Sequence, residues 1–198
     1  MFLTLAPALP GIFATLGTAS GADGMEPLIT DFDTAAARPT ELAAGLVPPE
    51  AWYAVSDRVM GGVSRERADL VTVDGRMALR LTGFVSSANN GGFIMLGCPL
   101  PARFDATAWT GLRIVARGAG DGYRVTLRTG DTRRPWEHYA HALPVGPDWR
   151  TVDLPFAGFV ANRALPPLDR AALSRIGLVA GGKDAPADLA VTRVSLYR

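Results

Sequence analysis

The chain has 198 residues, of which 48% are hydrophobic and 20% charged, and its formal net charge is +1. That length suits one domain with a core large enough to stand without disulfides, and the lack of a basic excess excludes nucleic acid as a partner. Twenty-two glycines and 15 prolines favour many short strands joined by turns over a helical bundle.

Residues 1–22 carry no charged side chain, and Phe2-Leu3-Thr4-Leu5 and Gly11-Ile12-Phe13-Ala14 are apolar. Small residues from Thr18 to Ala22 suit a cleavage site, so this stretch reads as an export signal, with a disordered tail as the alternative. Pro7 and Pro10 break it, and it falls short of the about 20 apolar residues of a membrane span, so no transmembrane segment is expected. Residues 23–198 are then a single β-sandwich domain of an exported or periplasmic protein. A cytoplasmic location is the alternative.

Pro27 to Phe32 alternates like a first strand, and the Ala-rich Thr34–Leu46 suits a short helix or a loop stopped by Pro48-Pro49. From Trp52 onward the period is two. Met77, Leu79 and Leu81 share one face, as do Leu112, Ile114 and Ala116, with Arg113 and Arg117 opposite. Tyr123, Val125 and Leu127 alternate with Arg124, Thr126 and Arg128, and Val152 and Leu154 with Thr151 and Asp153. Near the end, Val191 alternates with Thr192, then Val194 and Leu196 with Ser195 and Tyr197. Gly118-Ala119-Gly120-Asp121-Gly122 between two such runs reads as a hairpin loop, and Leu168–Leu173 as one helical turn. About ten strands in this pattern predict an all-β, antiparallel β-sandwich or jelly roll.

Two segments interrupt the alternation. In Trp52 to Ser64 an aromatic strand meets a Ser56-Asp57-Arg58 corner and then Gly61-Gly62, a pair suited to a bulge, a positive φ or a close backbone approach. Asp57 and Arg58 either fasten that loop or offer a charge pair to a ligand; aspartate at a turn more often caps its own backbone. In Gly83 to Phe93, Asn89 and Asn90 precede Gly91-Gly92, which makes a tight turn or a set of hydrogen-bonding groups for sugar or peptide. The shared chemistry of polar cluster and glycine pair predicts that the two segments lie side by side at one edge of the sandwich. The corner would be mainly structural, with Arg58, Ser64 and Asn89 as its exposed rim.

The stretch SDRVMGGVS, followed by TGFVSSANNGGF, resembles the complex I intermediate-associated protein 30 family. GLRIVARGAGDGYRVTLRT, WEHYAHAL, WRTVDLPFAGFVANR and LSRIGLVAGGKD follow in the same order, so the resemblance spans residues 27–198. Gly182-Lys183-Asp184 stands where the family often has Asp-Lys-Gln. The resemblance implies a galactose-binding-like jelly roll without a catalytic centre or cofactor, related to proteins that assist assembly of the membrane arm of respiratory complex I. Nineteen arginines against one lysine, Lys183, point to bacterial coding bias and so to a bacterial member.

Other features carry less. Gly177 to Asp184 imitates a phosphate-binding loop, but Asp184 replaces the magnesium-binding hydroxyl and a strand follows where a helix is needed. His138 and His141, three apart on a strand, face opposite sides and cannot share a metal. Cys98 stands alone and reads as a small buried hydrophobe. Trp136, Tyr139 and Trp149 suit the core more than a sugar platform. The expected function is a binding module for a protein partner, a respiratory or envelope complex subunit, with Asp57, Arg58, Ser64, Asn89 and Asn90 as binding candidates and Gly61, Gly62, Gly91 and Gly92 as structural glycines. The alternative is a carbohydrate-binding module of the cell envelope.

Overall fold

Strands with one apolar face must bury it, and two antiparallel sheets packed face to face do so. The computed structural model describes residues 27–33 and 47–198. The expectations for residues 1–22 and 34–46 fall outside the described residues.

Twelve strands occur among the described residues, two more than the sequence suggested. They are β1 (Leu28–Asp31), β2 (Tyr53–Ser56), β3 (Arg65–Val73), β4 (Arg76–Val85), β5 (Phe93–Phe104) and β6 (Gly111–Ala119), then β7 (Tyr123–Thr129), β8 (Tyr139–Ala142), β9 (Arg150–Pro155), β10 (Val160–Ala161), β11 (Leu173–Gly181) and β12 (Ala185–Tyr197). The first sheet runs β3-β4-β12-β6-β9, with β1 also on β12; the second runs β10-β8-β7-β11-β5-β2. All pairs are antiparallel. Among the described residues the connections are turns, loops and short 3-10 turns, including Arg170–Ala172 within the expected helical turn, and Phe32 and Asp33 after β1 are helical.

The inner faces match the alternation. Leu81, Leu112, Ile114 and Leu154 of the first sheet and Ile94, Leu96, Leu127, Ile176 and Leu178 of the second are almost wholly buried. Each such side chain contributes roughly 1.5–3 kcal/mol. Cys98 lies among them, and burial pushes its thiol up to about 12.

Two features differ from the simplest reading of the pattern. The glycine-rich turn after β6 is not a hairpin, because β6 belongs to the first sheet and β7 to the second. Gly120 and Gly122 have positive φ there and let the chain arch across the sandwich. Both strands are half-buried either way, so local turn chemistry could not reveal the change of sheet. The Tyr123 hydroxyl closes the arch, donating to Ala119 O at 2.7 Å and accepting from Asp188 N–H at 2.8 Å. In β12, Val191 pairs with Ala116 and Arg193 with Val115, so Thr192 is the extra residue of a bulge. That bulge turns both Val191 and Val194 inward, and the Thr192 hydroxyl bonds Met77 O at 3.0 Å.

Candidate functional site

The two glycine-paired segments meet at one end of the sandwich, and a single carboxylate joins them. Asp57 is fully buried. Its Oδ1 accepts Ser64 N–H at 3.0 Å. Its Oδ2 accepts the Ser64 hydroxyl at 2.5 Å, Gly92 N–H at 2.6 Å and Phe93 N–H at 3.3 Å. Burial pushes this carboxyl up, but the bonds from Ser64, Gly92 and Phe93 outweigh it and hold it below its ordinary value. Asp57 therefore stays ionised as an internal anchor.

The glycines admit that anchor. A Cβ on Gly91 would stand 2.5 Å from Asp57 Oδ2 and 2.9 Å from Ser86 O, and one on Gly62 would collide with the same carboxylate. The Ser64 Oγ also accepts Ser86 N–H at 2.9 Å, so β3 and β4 are stitched at their ends. Asn89 Nδ2 donates to Gly61 O at 3.4 Å, and Asn89 and Asn90 both adopt left-handed φ. The late segment joins too. Asp184 accepts Ser87 N–H at 2.7 Å, and Gly182 N–H reaches Gly92 O at 3.3 Å. Sequence reasoning missed Asp184 as a member of this corner because its partner lies 97 positions away.

Arg58, Asn89 and Asn90 are exposed on the corner. Ser64 is not part of that rim: its side chain is fully buried and committed to Asp57. The rim instead carries apolar side chains that the sequence reading passed over. Val59 is 74% exposed, Met60 61% and Val63 46%, and Phe84, opposite Arg65 in the β3–β4 pair, is 48% exposed.

The aromatic trio does not assemble. Tyr139 is in the core and donates to Pro166 O at 2.7 Å, Trp136 is half exposed, and Trp149 lies beneath the Arg76 guanidinium at 5.7 Å. His141 packs on Phe159, its ring centroid 5.4 Å away, on the inner side where Val125 pairs with it. His138 Nδ1 lies 2.9 Å from Trp136 O, and burial pushes the ring's pKa down. Among the described residues no three His, Cys, Asp or Glu side chains are grouped as metal ligands. A cavity of about 370 Å³ opens on the outer face of the first sheet. Its charged lining is two ion pairs, Arg80 with Asp188 at 2.7 Å and Arg117 with Asp74, which satisfy one another.

This two-sheet architecture is that of the galactose-binding-like β-sandwich modules. It is similar to the family 11 carbohydrate-binding module of the cellulosomal cellulase Lic26A-Cel5E of Clostridium thermocellum, at TM-score 0.66 and 16% identity over 89% of this chain and 96% of that one. The family 11 module from Clostridium thermocellum in complex with a β-1,3-1,4-mixed-linked tetrasaccharide has TM-score 0.61 and 16% identity over 74% and 88%. A family 30 carbohydrate-binding module has TM-score 0.54 and 15% identity over 74% and 92%. At these identities the likeness is one of fold. No curated protein matches the chain. The model of the complex I intermediate-associated protein 30 family matches residues 43–191, and the chain belongs to that family.

Proposed function

We propose that this protein is a non-catalytic binding module that holds a protein partner, a subunit of a respiratory or envelope complex, while that complex is assembled. The observation that carries this is the corner itself. A buried, fully bonded carboxylate fixes a loop whose outer side offers Val59, Met60 and Val63 to solvent. Apolar groups on a rigid turn lose little conformational entropy on association, which is what a docking surface requires. Family membership supports an assembly role. The proposal includes export, with residues 1–22 as the signal.

The test is reconstitution. A tagged full chain is used to purify a partner from the native host, and the purified partner is rebound to wild type and to Val59→Asp and Met60→Asp. Loss of rebinding with an unchanged melting temperature supports the reading. Undiminished rebinding by both variants rejects it.

A second reading, carbohydrate binding, is favoured by one specific feature. The Tyr53 ring lies on the outer face of the second sheet directly over Gly97, still 37% exposed, as a flat surface on which a sugar ring stacks.

A further inference from the structure

The outer face of the second sheet has an order that the corner does not explain. One in-register row crosses all six strands: Tyr53 pairs with Gly97, Gly97 with Gly177, Gly177 with Thr126, Thr126 with Ala140, and Ala140 with Val160. Between Tyr53 and Val160 the row itself holds only short side chains, and the Met95 thioether lies against Gly177. Five strand spacings make it roughly 24 Å long. The Thr126 hydroxyl leans onto Gly177 O at 3.4 Å, which keeps the floor low.

Cations flank this strip on both sides. Arg175 and Arg128 are directly paired across β11 and β7, and Arg124 stands on the other side, four residues from Arg128 on the same face of β7. Like charges directly opposite one another in a sheet are unfavourable. Among the described residues, none of these three arginines takes part in an ion pair. Two of them are held in place. Arg128 donates to Thr132 O at 2.7 Å and Arg134 O at 2.9 Å, and Arg175 lies 5.9 Å from the Tyr53 ring centroid. Their mutual repulsion is felt: burial and then Arg175 push the Arg128 pKa down, and the opposing pull of Glu137 does not reverse this. Glu137 lies near enough to Arg128 to offset it in part, but Arg124 and Arg175 form no ion pair among the described residues, and a surface that keeps such a conflict is suited to an external anion.

We infer that this outer face takes an extended acidic oligosaccharide, its rings laid along the row of short side chains and its carboxylates turned towards Arg124, Arg128 and Arg175. The row runs across the strands, and the backbone groups beneath it are already bonded in the ladders. A peptide therefore cannot add there by main-chain pairing. Sugar rings need only a flat floor, a stacking ring at Tyr53 and side-chain donors, and the planar guanidinium matches a carboxylate in two-point contact.

This inference rests on the carbohydrate reading above, and the experiment separates the two. Calorimetry with the full chain would compare tetragalacturonate, a neutral β-1,3-1,4-glucan tetrasaccharide and polyglutamate. The expected result is binding of tetragalacturonate that weakens as salt screens it, with about tenfold loss in Arg175→Gln and in Arg124→Gln at unchanged melting temperature. Binding of the neutral sugar alone, or acidic-sugar binding indifferent to both variants, overturns the charge assignment but leaves carbohydrate binding standing. Binding of neither sugar defeats both. Binding of polyglutamate without tetragalacturonate makes the face a peptide site and overturns the inference.

Discussion

Replacing Asp57 by Ala isolates what the corner is for. The carboxylate is fully buried and accepts four bonds, three from backbone N–H groups and one from a hydroxyl. Truncation orphans Ser64 N–H, Gly92 N–H and Phe93 N–H, while the Ser64 hydroxyl can still turn to Ser86 O at 3.3 Å. A buried donor left unsatisfied costs about 1–3 kcal/mol. Gly92 and Phe93 are only partly buried, so water recovers part of that loss. The sum is about 3–5 kcal/mol, a large share of the 5–15 kcal/mol typical of a domain. At roughly 2–4 °C per kcal/mol for a chain of this size, the melting temperature falls by about 6–20 °C. Asp57→Asn should fare little better, since an amide NH2 would face donors where an oxygen now accepts. Acid adds a signed check. The folded pKa of Asp57 is lowered, so the unfolded state binds the proton more readily. Its contribution is present above the unfolded value of 3.8 and is lost as pH falls through the folded value. Wild type should therefore lose more stability than Asp57→Asn on acidification below about pH 4. Thermal and urea unfolding, followed by circular dichroism from pH 7 to pH 2, read both effects. Two variants within 1 kcal/mol of wild type, with the same acid slope, would refute the anchor.

Three further outcomes follow from the packing. Gly91→Ala should unfold at lower temperature, since its Cβ would meet Asp57 Oδ2 at 2.5 Å and Ser86 O at 2.9 Å; an unchanged melt would mean the loop yields freely. Tyr123→Phe should cost about 1–3 kcal/mol in urea unfolding, because the arch loses its bonds to Ala119 O and Asp188 N–H. Cys98, buried and with its thiol pushed up to about 12, should resist iodoacetamide at pH 8 in the folded chain and react only at the rate of unfolding. Fast labelling of the native protein would contradict that placement.

The division between sequence and tertiary structure falls along the range of the interactions. Period-two alternation at Tyr123–Arg128 or Leu112–Arg117 reports which side chains go inward, because strand geometry sends successive residues to opposite faces. The sandwich was therefore legible, and even the bulge at Thr192 leaves a trace in the shift of phase between Val191 and Val194. The family was legible from ordered motifs, and the pairing of Asp57–Ser64 with Asn89–Phe93 followed from their shared chemistry. The sheet to which a strand belongs is another matter. It depends on pairing energy summed over distant strands, so the β6–β7 turn looked like a hairpin and is an arch. Burial of Ser64, the apolar rim at Val59 and Met60, and Asp184 at the corner are likewise set by contacts 22 to 97 residues apart. The facing of Arg128 and Arg175 across the second sheet arises the same way. Each reads locally as a solvated charge on a strand's wet face, and only the β7–β11 register places the two opposite one another, beside a floor of glycines.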